Sequence, residues 1–574
     1  MKNTFLRDKI SFLCNRLTDN WLLLLLIVVC FLIHLYSALK YGTLTADGTQ
    51  YASLGKNLIK LGKYQSDGSH FPDIIQPPLY PIFISILYIF TKNSYLSAIS
   101  VASIFRGLCI LPLFLLGKTL FTNRTAILTS ILFIFYPLLF NFAIKINSET
   151  TYCFFFLTAV YLLFLFSKKV SSKMAIIIGI IIGCSYSIRI EGYLLIITFV
   201  FFLLLEKSKT FPMVSIFKYF FCCIVGFSII YLPLSFFIHS QTGKWIFCPK
   251  ARLILIHQGI WRTSDSDPAF HSSSKTMKYE RAIFKYSPEK LDLQANVLFF
   301  GKAGTHAEST ESKNYFDHDS TLSGNLRKIR QFFIFRILTY FKNLFSVYKH
   351  LTTHLFMPPL LLPIFILGIL ANPWSKDLWD VNIRFFVILF VSSAFLFSHF
   401  SLRFFFTVIP ITLFWAANGI LHISQWTSQS LNSINFNIRE KVVRSFLLVI
   451  LILSFIPSYI LVAKSNSQKM SHYKRVADLI TSHVPQNTFV IARKPQSSYL
   501  ANRKYATLPY LNFDELILYS QQFSQSALVF PDKDHLIRPE LGKQLKELAE
   551  VHITDPRFEI IQERGCTIVL FQQA

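Results

Sequence analysis

The 574 residues are 52% hydrophobic and only 15% charged, against roughly a quarter charged in globular domains, a depletion that excludes an ordinary water-soluble protein. The formal charge of +26 would suit nucleic acid, but the Lys and Arg are scattered through short gaps between apolar runs, so nucleic acid is discounted as a partner. The nine Cys show no CxxC and no paired spacing, which leaves no redox or metal motif; only Cys248 and Cys566 fall in expected extracytoplasmic segments.

Lys2, Arg7, Lys9 and Arg16 precede the apolar run 21–39 and set the N-terminus in the cytoplasm. That run is too long for a signal-peptide core and lacks a small-residue cleavage site, so it reads as an uncleaved first helix. An interruption follows at 44–83, LTADGTQYASLGKNLIKLGKYQSDGSHFPDIIQPPLYPIF. On a helix over 47–61, Tyr51, Leu54, Leu58 and Leu61 fall within an arc of about 80°, with Lys56, Lys60 and Lys63 opposite. This predicts an amphipathic helix lying in the interface. Asp47 projects onto its apolar side, either as a dipole partner in the first turn or pointing into a cavity. Residues 78–90 are few and open with prolines, which predicts a juxtamembrane or re-entrant helix rather than a crossing.

Further runs of spanning length follow at 95–120, 125–145, 150–167, 174–190, 192–205, 213–238, 351–371, 384–400, 403–422 and 443–463, for about eleven crossings in all. This count puts Lys118 with Arg124, Lys168 with Lys173, Lys207 with Lys209, Lys376 with Arg384, and Arg439 with Arg444 on the cytoplasmic side. Two polar blocks remain, both extracytoplasmic in this topology. Residues 239–350 are rich in Ser, Lys, His and Asp and contain an expected flexible stretch, GTHAESTESKNYFDHDSTLSGN. Residues 464–574 read as a small α/β domain: helix HYKRVADLITSHV, strand TFVIA, helix FDELILYSQQF, strand SALVF, a helix near ELGKQLKELAE, and the strand pair FEIIQE and CTIVLF. The expected fold is a polytopic all-α membrane domain, 1–463, with a first extracytoplasmic loop at 40–94, followed by a C-terminal extracytoplasmic α/β domain.

In KINSETT, Ser148 can cap the next helix and Glu149 sits in its first turn, on the same membrane face as Asp47. Basic residues gather on that face too. Arg189 and Glu191 lie in the turn SIRIEGYLL, and Arg403 lies in SHFSLRFFFTVIP. Arg106 falls inside an apolar run, near its extracytoplasmic end or deeper. An arginine inside a membrane segment faces protein or water rather than lipid, whereas Arg189 and Arg403 either do the same or snorkel at headgroup level. An Arg cluster facing carboxylates suits a phosphorylated ligand, because guanidinium pairs bidentately with phosphate oxygens. The histidines show no metal-ligand spacing; no metal site or cofactor is evident, and a divalent-metal requirement is not readable.

ADGTQY after the first helix, the QPPLYPIF hinge, NRTAILTSILFIFYPLLF leading into NSE, GIIIGCSYSIRIEGYLL and SLRFFFTVIPITLFWAANGI appear in an order that resembles the GT-C superfamily of membrane glycosyltransferases. The similarity is to the branch with protein O-mannosyltransferases, aminoarabinose transferases and RgtA/B/C/D-like enzymes. TGKWIFCPK is a weaker match. The resemblance implies a sugar donor on a polyprenyl phosphate and a glycan, lipid or protein acceptor. It also implies a multi-pass plasma (bacterial inner) membrane location. It makes Asp47 the general base and Glu149 the second acidic position, with Tyr51 beside the acceptor or sugar. Arg403, Arg189 and Arg106 would hold the carrier phosphate. Many members have Asp-Glu in the first loop, where this chain has Asp47-Gly48. The rival reading is a secondary transporter or lipid flippase, against which stand the absence of an internal repeat and the placing of the carboxylates at helix ends. A non-catalytic scaffold presenting residues 464–574 is a third.

Overall fold

The computed structural model describes residues 2–67, 72–207, 212–243, 245–250, 322–351, 358–370, 376–397, 402–436, 438–509, 511–536, 538–550, 555–563 and 565–572, with two short pieces at 286–287 and 292–293. Most of the expected flexible loop therefore lies outside the described residues. The chain opens with α1 (Lys2–Tyr41), α2 (Ala46–Lys60), α3 (Leu79–Thr91), α4 (Ser94–Leu108), α5 (Ile110–Leu120), α6 (Asn123–Phe135) and α7 (Pro137–Ala143). It continues through α8 (Glu149–Lys168), α9 (Ser172–Tyr186), α10 (Leu194–Lys207) and α11 (Met213–Thr242). Further along the chain come α12 (Leu322–Leu351), α13 (Leu361–Leu370), α14 (Lys376–Ser392), α15 (Ile409–Ser433), α16 (Glu440–Leu453) and α17 (Ile456–His483).

Among the described residues, five helices are long and apolar enough to cross a membrane: Asn20–Tyr41, Ser94–Leu120, Glu149–Lys168, Met213–Gln241 and Glu440–His483. A sixth joins them if α6 and α7 count as one span bent by 54°. The bend falls at Tyr136, held in extended backbone by the following Pro137. The expected count of about eleven is thus larger than length and composition alone give. The remaining runs are broken or short: α9 and α13 have 15 and 10 residues, and the run at 403–422 is a 3-10 turn, Leu402–Phe406, followed by α15. At about 1.5 Å per residue, the 13 residues of α3 span about 20 Å, short of a hydrocarbon core of about 30 Å.

Close packing of small residues holds the membrane domain together. A Cβ on Gly179 would lie 2.0 Å from the Cys223 carbonyl oxygen, so α9 and α11 meet backbone to backbone. Arg384, expected on the cytoplasmic side at the start of an apolar run, is buried on α14; its guanidinium reaches Glu206 (2.5 Å) and Asp380 (2.9 Å), and this pairing is what makes an interior arginine tolerable. The block expected to be polar throughout 239–350 ends in the 30-residue helix α12, whose Asn343 donates to the Leu396 carbonyl at 2.7 Å.

The first loop also differs from the helical-wheel reading. Tyr51 and Leu54 are buried as expected, but Leu61 is 59% exposed. Ser53 and Asn57 take the inner positions, because Asn57 donates to the Gln65 carbonyl (2.8 Å) and Ser53 accepts from the Asp67 amide (2.7 Å). Lys56 pairs with Asp67 at 2.6 Å. The helix is clamped between α3, α4 and its own trailing loop, and does not simply float on the headgroups.

α17 runs unbroken from the membrane domain past residue 464, so HYKRVADLITSHV is its last part rather than a separate helix. Beyond it lie β1 (Phe489–Ala492), α18 (Gln496–Leu500), β2 (Lys504–Thr507), α19 (Phe513–Ser520), β3 (Ser526–Pro531), α20 (Pro539–Glu550), β4 (Phe558–Glu563) and β5 (Cys566–Phe571). The five strands form one sheet in the order β2-β1-β3-β5-β4, parallel among β2, β1 and β3 and antiparallel across β3, β5 and β4. The C-terminal sheet expected from the sequence is present, with β2 and α18 as additions to the reading. Val490 faces Leu479 and Ile480 of α17, while Ile491 faces Leu516 of α19 and Leu541 of α20. Coverage of both faces explains why β1 is apolar throughout. Cys248 and Cys566 are not joined in a disulfide among the described residues.

Candidate active site

Residues 43–48 run against residues 145–148. Thr43 bridges Lys145, and Thr45 Oγ1 donates to the Ile146 carbonyl (3.0 Å) and Asn147 Oδ1 (2.8 Å). The same Oγ1 accepts from the Gly48 amide at 2.9 Å and caps α2. A Cβ at position 48 would sit 2.2 Å from the Ile146 carbonyl oxygen, so only glycine allows this approach. The contact brings the start of α2, with Asp47, to the start of α8, with Glu149. Ser148, expected to cap α8, makes no capping bond.

Arg403, in the 3-10 turn Leu402–Phe406, joins the two carboxylates. Its Nη2 lies 3.1 Å from Asp47 Oδ2, and its Nε lies 3.1 Å from Glu149 Oε1, an ion-pair distance without hydrogen-bond alignment. Arg189 approaches Glu149 from the other side, Nη1 to Oε1 at 2.8 Å, and pairs with Glu191 at 2.8 Å. Four of the expected residues thus meet in one cluster. Within it, Glu149 Oε2 and Arg403 Nε are buried without a hydrogen-bond partner among the described residues. Leaving such groups bare is costly in a finished core, so the cluster has the character of a site built to receive a polar ligand.

Electrostatics keep Asp47 and Glu191 ionised. Burial alone would raise Asp47, but Lys250, Arg403 and Arg189 outweigh it and hold the carboxyl below the ordinary aspartate range. Burial would likewise raise Glu191, yet Arg189 brings it down to about 2. Tyr51, packed edge-on against Tyr80 at 5.2 Å, is pushed upward by burial and stays a neutral phenol near Asp47.

Lys250 went unassigned in the sequence, although it ends the TGKWIFCPK stretch. It donates to Gln76 Oε1 at 3.2 Å; Gln76 Nε2 donates to Gln50 Oε1 at 3.0 Å, and Gln50 Nε2 to Asp73 Oδ2 at 2.6 Å. Asp73 Oδ1 in turn accepts the amides of Ile75 (2.9 Å) and Gln76 (2.8 Å). The Gln-Pro-Pro hinge therefore fixes the glutamine that steadies Lys250 beside Asp47.

Arg106 does not join the cluster. It is 2% exposed, donates to the Phe133 carbonyl at 2.6 Å and stacks 3.8 Å from the Phe133 ring. Its nearest link to the site is Phe406, at 5.7 Å, in the turn that carries Arg403.

A narrow cleft, with a cavity of only about 20 Å³, opens from the cluster. Glu149, Arg189, Glu191 and Arg403 line its charged end, and Phe156, Leu194, Leu195 and Phe404 line the apolar remainder. The arrangement fits an amphiphile with an anionic head, held between guanidinium groups, beside a carboxylate able to take a proton.

Comparison with known proteins places the fold. The profile of the dolichyl-phosphate-mannose-protein mannosyltransferase family matches residues 75–236. No curated protein matches the chain. The oligosaccharyltransferase of Archaeoglobus fulgidus, solved with a tethered acceptor peptide containing the NVT sequon, superposes with a TM-score of 0.54 at 14% identity. That match covers 96% of this chain and 74% of the archaeal one. ArnT from Cupriavidus metallidurans, bound to undecaprenyl phosphate, gives a TM-score of 0.48 at 11% identity, covering 95% of this chain and 97% of that one. The resemblance to the GT-C superfamily read from the sequence is borne out, in a fold shared along nearly the whole chain and in a family match over residues 75–236.

Proposed function

We propose that this protein moves a sugar from a polyprenyl-phosphate carrier to a hydroxyl or amine acceptor outside the cytoplasm, inverting the anomeric carbon. The observation that carries the reading is Arg403 suspended between Asp47 and Glu149 at the charged head of an apolar cleft, with Glu149 Oε2 and its own Nε unpartnered. The description of the matched family names a dolichyl-phosphate-linked mannose, a donor of the same chemical class.

In the reaction the acceptor oxygen or nitrogen bonds to the anomeric carbon as the bond from that carbon to the phosphate oxygen breaks. The electron pair goes to the phosphate, where Arg403 and Arg189 meet the developing charge. Asp47 takes the acceptor's proton. Glu149 and the neutral Tyr51 position the sugar or acceptor. Arg106 supports the Arg403 turn from below, through Phe406. The protein sits in a plasma membrane, that of the inner membrane in a bacterium, with its N-terminus in the cytoplasm and its C-terminal domain outside.

The test supplies candidate prenyl-phosphate sugars to purified protein in liposomes and follows release of prenyl phosphate. Asp47→Asn should fold normally and lose about 100- to 10,000-fold in turnover. Full turnover in that variant would overturn the assignment of the base. Accumulation of substrate inside sealed vesicles without covalent transfer would overturn the reaction itself.

A further inference from the structure

The C-terminal domain has a second polar pocket, separate from the cleft above. β1 pairs in parallel with β2 on one side and β3 on the other, so the connections leaving β1 and β3 diverge. The crevice beyond the carboxyl ends of strands at such a switch point is where open α/β sheets bind ligands. Here its cavity is about 220 Å³, small beside the roughly 300–1,000 Å³ of drug-sized sites and of the order of one sugar ring. α17 closes it from the side with Tyr473 and His472.

Its chemistry is one-sided. Lys469, Arg493, Lys494 and Lys533 line it against one carboxylate, Asp534, which already accepts from Arg493 Nε at 2.7 Å. Deeper in, Gln496 is 3% exposed and Ser498 fully buried; Gln496 Oε1 and Ser498 Oγ have no hydrogen-bond partner among the described residues. The lysines ask for an anion. The bare amide oxygen asks for a hydrogen-bond donor, which a phosphate dianion lacks and a sugar hydroxyl supplies. The aromatic faces of Tyr473 and His472 suit the apolar face of a sugar ring.

We propose that this pocket is a non-catalytic binding site for a phosphorylated sugar. Its phosphate lies among Lys469, Lys533 and Lys494, and its hydroxyls reach Gln496 and Ser498. The ligand is either a free sugar phosphate or a phosphorylated residue within a glycan chain. The proposal stands independently of the glycosyl-transfer reading, because the pocket shares no residue with the Asp47 cluster.

Isothermal titration of the full-length protein in detergent tests it, with glucose 6-phosphate, glucose, inorganic phosphate and a phosphorylated oligosaccharide as probes. Glucose 6-phosphate should bind more tightly than glucose or phosphate, and Asp47→Asn should bind it unchanged. Lys469→Gln and Lys533→Gln, both at exposed positions, should each weaken it about tenfold. Gln496→Leu should weaken the sugar phosphate but not inorganic phosphate. Tighter binding of the oligosaccharide identifies a glycan chain as the source, and equal binding a free sugar phosphate. Equal affinity for glucose 6-phosphate and phosphate, no binding by about 10 mM, or unchanged binding in the double lysine variant would overturn the proposal.

Discussion

Asp47 is ion-paired with Arg403 across 356 positions of sequence, Oδ2 to Nη2 at 3.1 Å. In this arrangement the proposed base is occupied by the proposed phosphate ligand. A donor phosphate competes for the same guanidinium, so binding of the carrier frees the carboxylate that the acceptor needs. Arg403→Gln should therefore weaken donor binding and also lower turnover at saturating donor, as separate KM and kcat measurements would show. A change in KM alone would argue against the coupling.

The pH profile follows from the same neighbours. Asp47 is held below the ordinary aspartate range by cations that outweigh its burial, so its base form persists down to pH values below that range and is lost as pH falls further. In Lys250→Gln or Arg403→Gln the depression is relieved, and the acidic limb of kcat/KM should move to higher pH. An acidic limb that stays put in both variants would show that another group sets it.

Arg189 carries a larger structural load than Arg403. Its side chain is 8% exposed and serves both Glu149 and Glu191, whereas the Arg403 side chain is 33% exposed. Arg189→Met leaves two carboxylates with reduced compensation in a buried place and should cost about 3–5 kcal/mol of stability. Arg403→Met should cost about 1 kcal/mol or less. Thermal unfolding in one detergent, comparing the two variants with the parent, checks the ordering.

Gly48 marks where this chain departs from the Asp-Glu pattern. Restoring that pattern with Gly48→Glu should inactivate the enzyme, because any Cβ collides with the Ile146 carbonyl and parts α2 from α8. Even Gly48→Ala should cost about 1–3 kcal/mol through overpacking and lower turnover. Activity and melting temperature measured together would detect it.

The site was legible where chemistry and local pattern coincide. Asp47, Glu149, Arg189 and Arg403 each sit near the edge of an apolar run, where an ionised group stands out. Lys250 did not stand out, because it is one lysine in a polar block and only the fold brings it to Gln76. Arg106 was legible as a buried arginine but not in its direction; its position in an apolar run could not say that it turns to Phe133. The buried face of α2 was misjudged at Leu61 because the helical wheel cannot see the Asn57 and Ser53 bonds to the returning loop. Arg384 was legible only for its side of the membrane, and its burial depends on Glu206 and Asp380, partners that the fold brings to it. In the C-terminal domain the central strands were clear from their apolar runs, while β2 was missed because KYAT is an edge strand with little apolar signal.

The 28 residues of α17 form a single rod of about 42 Å that begins among the membrane helices and ends beneath the C-terminal sheet. A continuous helix transmits angle as well as distance: one inserted residue turns everything beyond it by about 100°. The azimuth at which the C-terminal domain faces the cleft is therefore written in the length of this rod, and an insertion or deletion in it would re-aim the domain without altering a residue of either site.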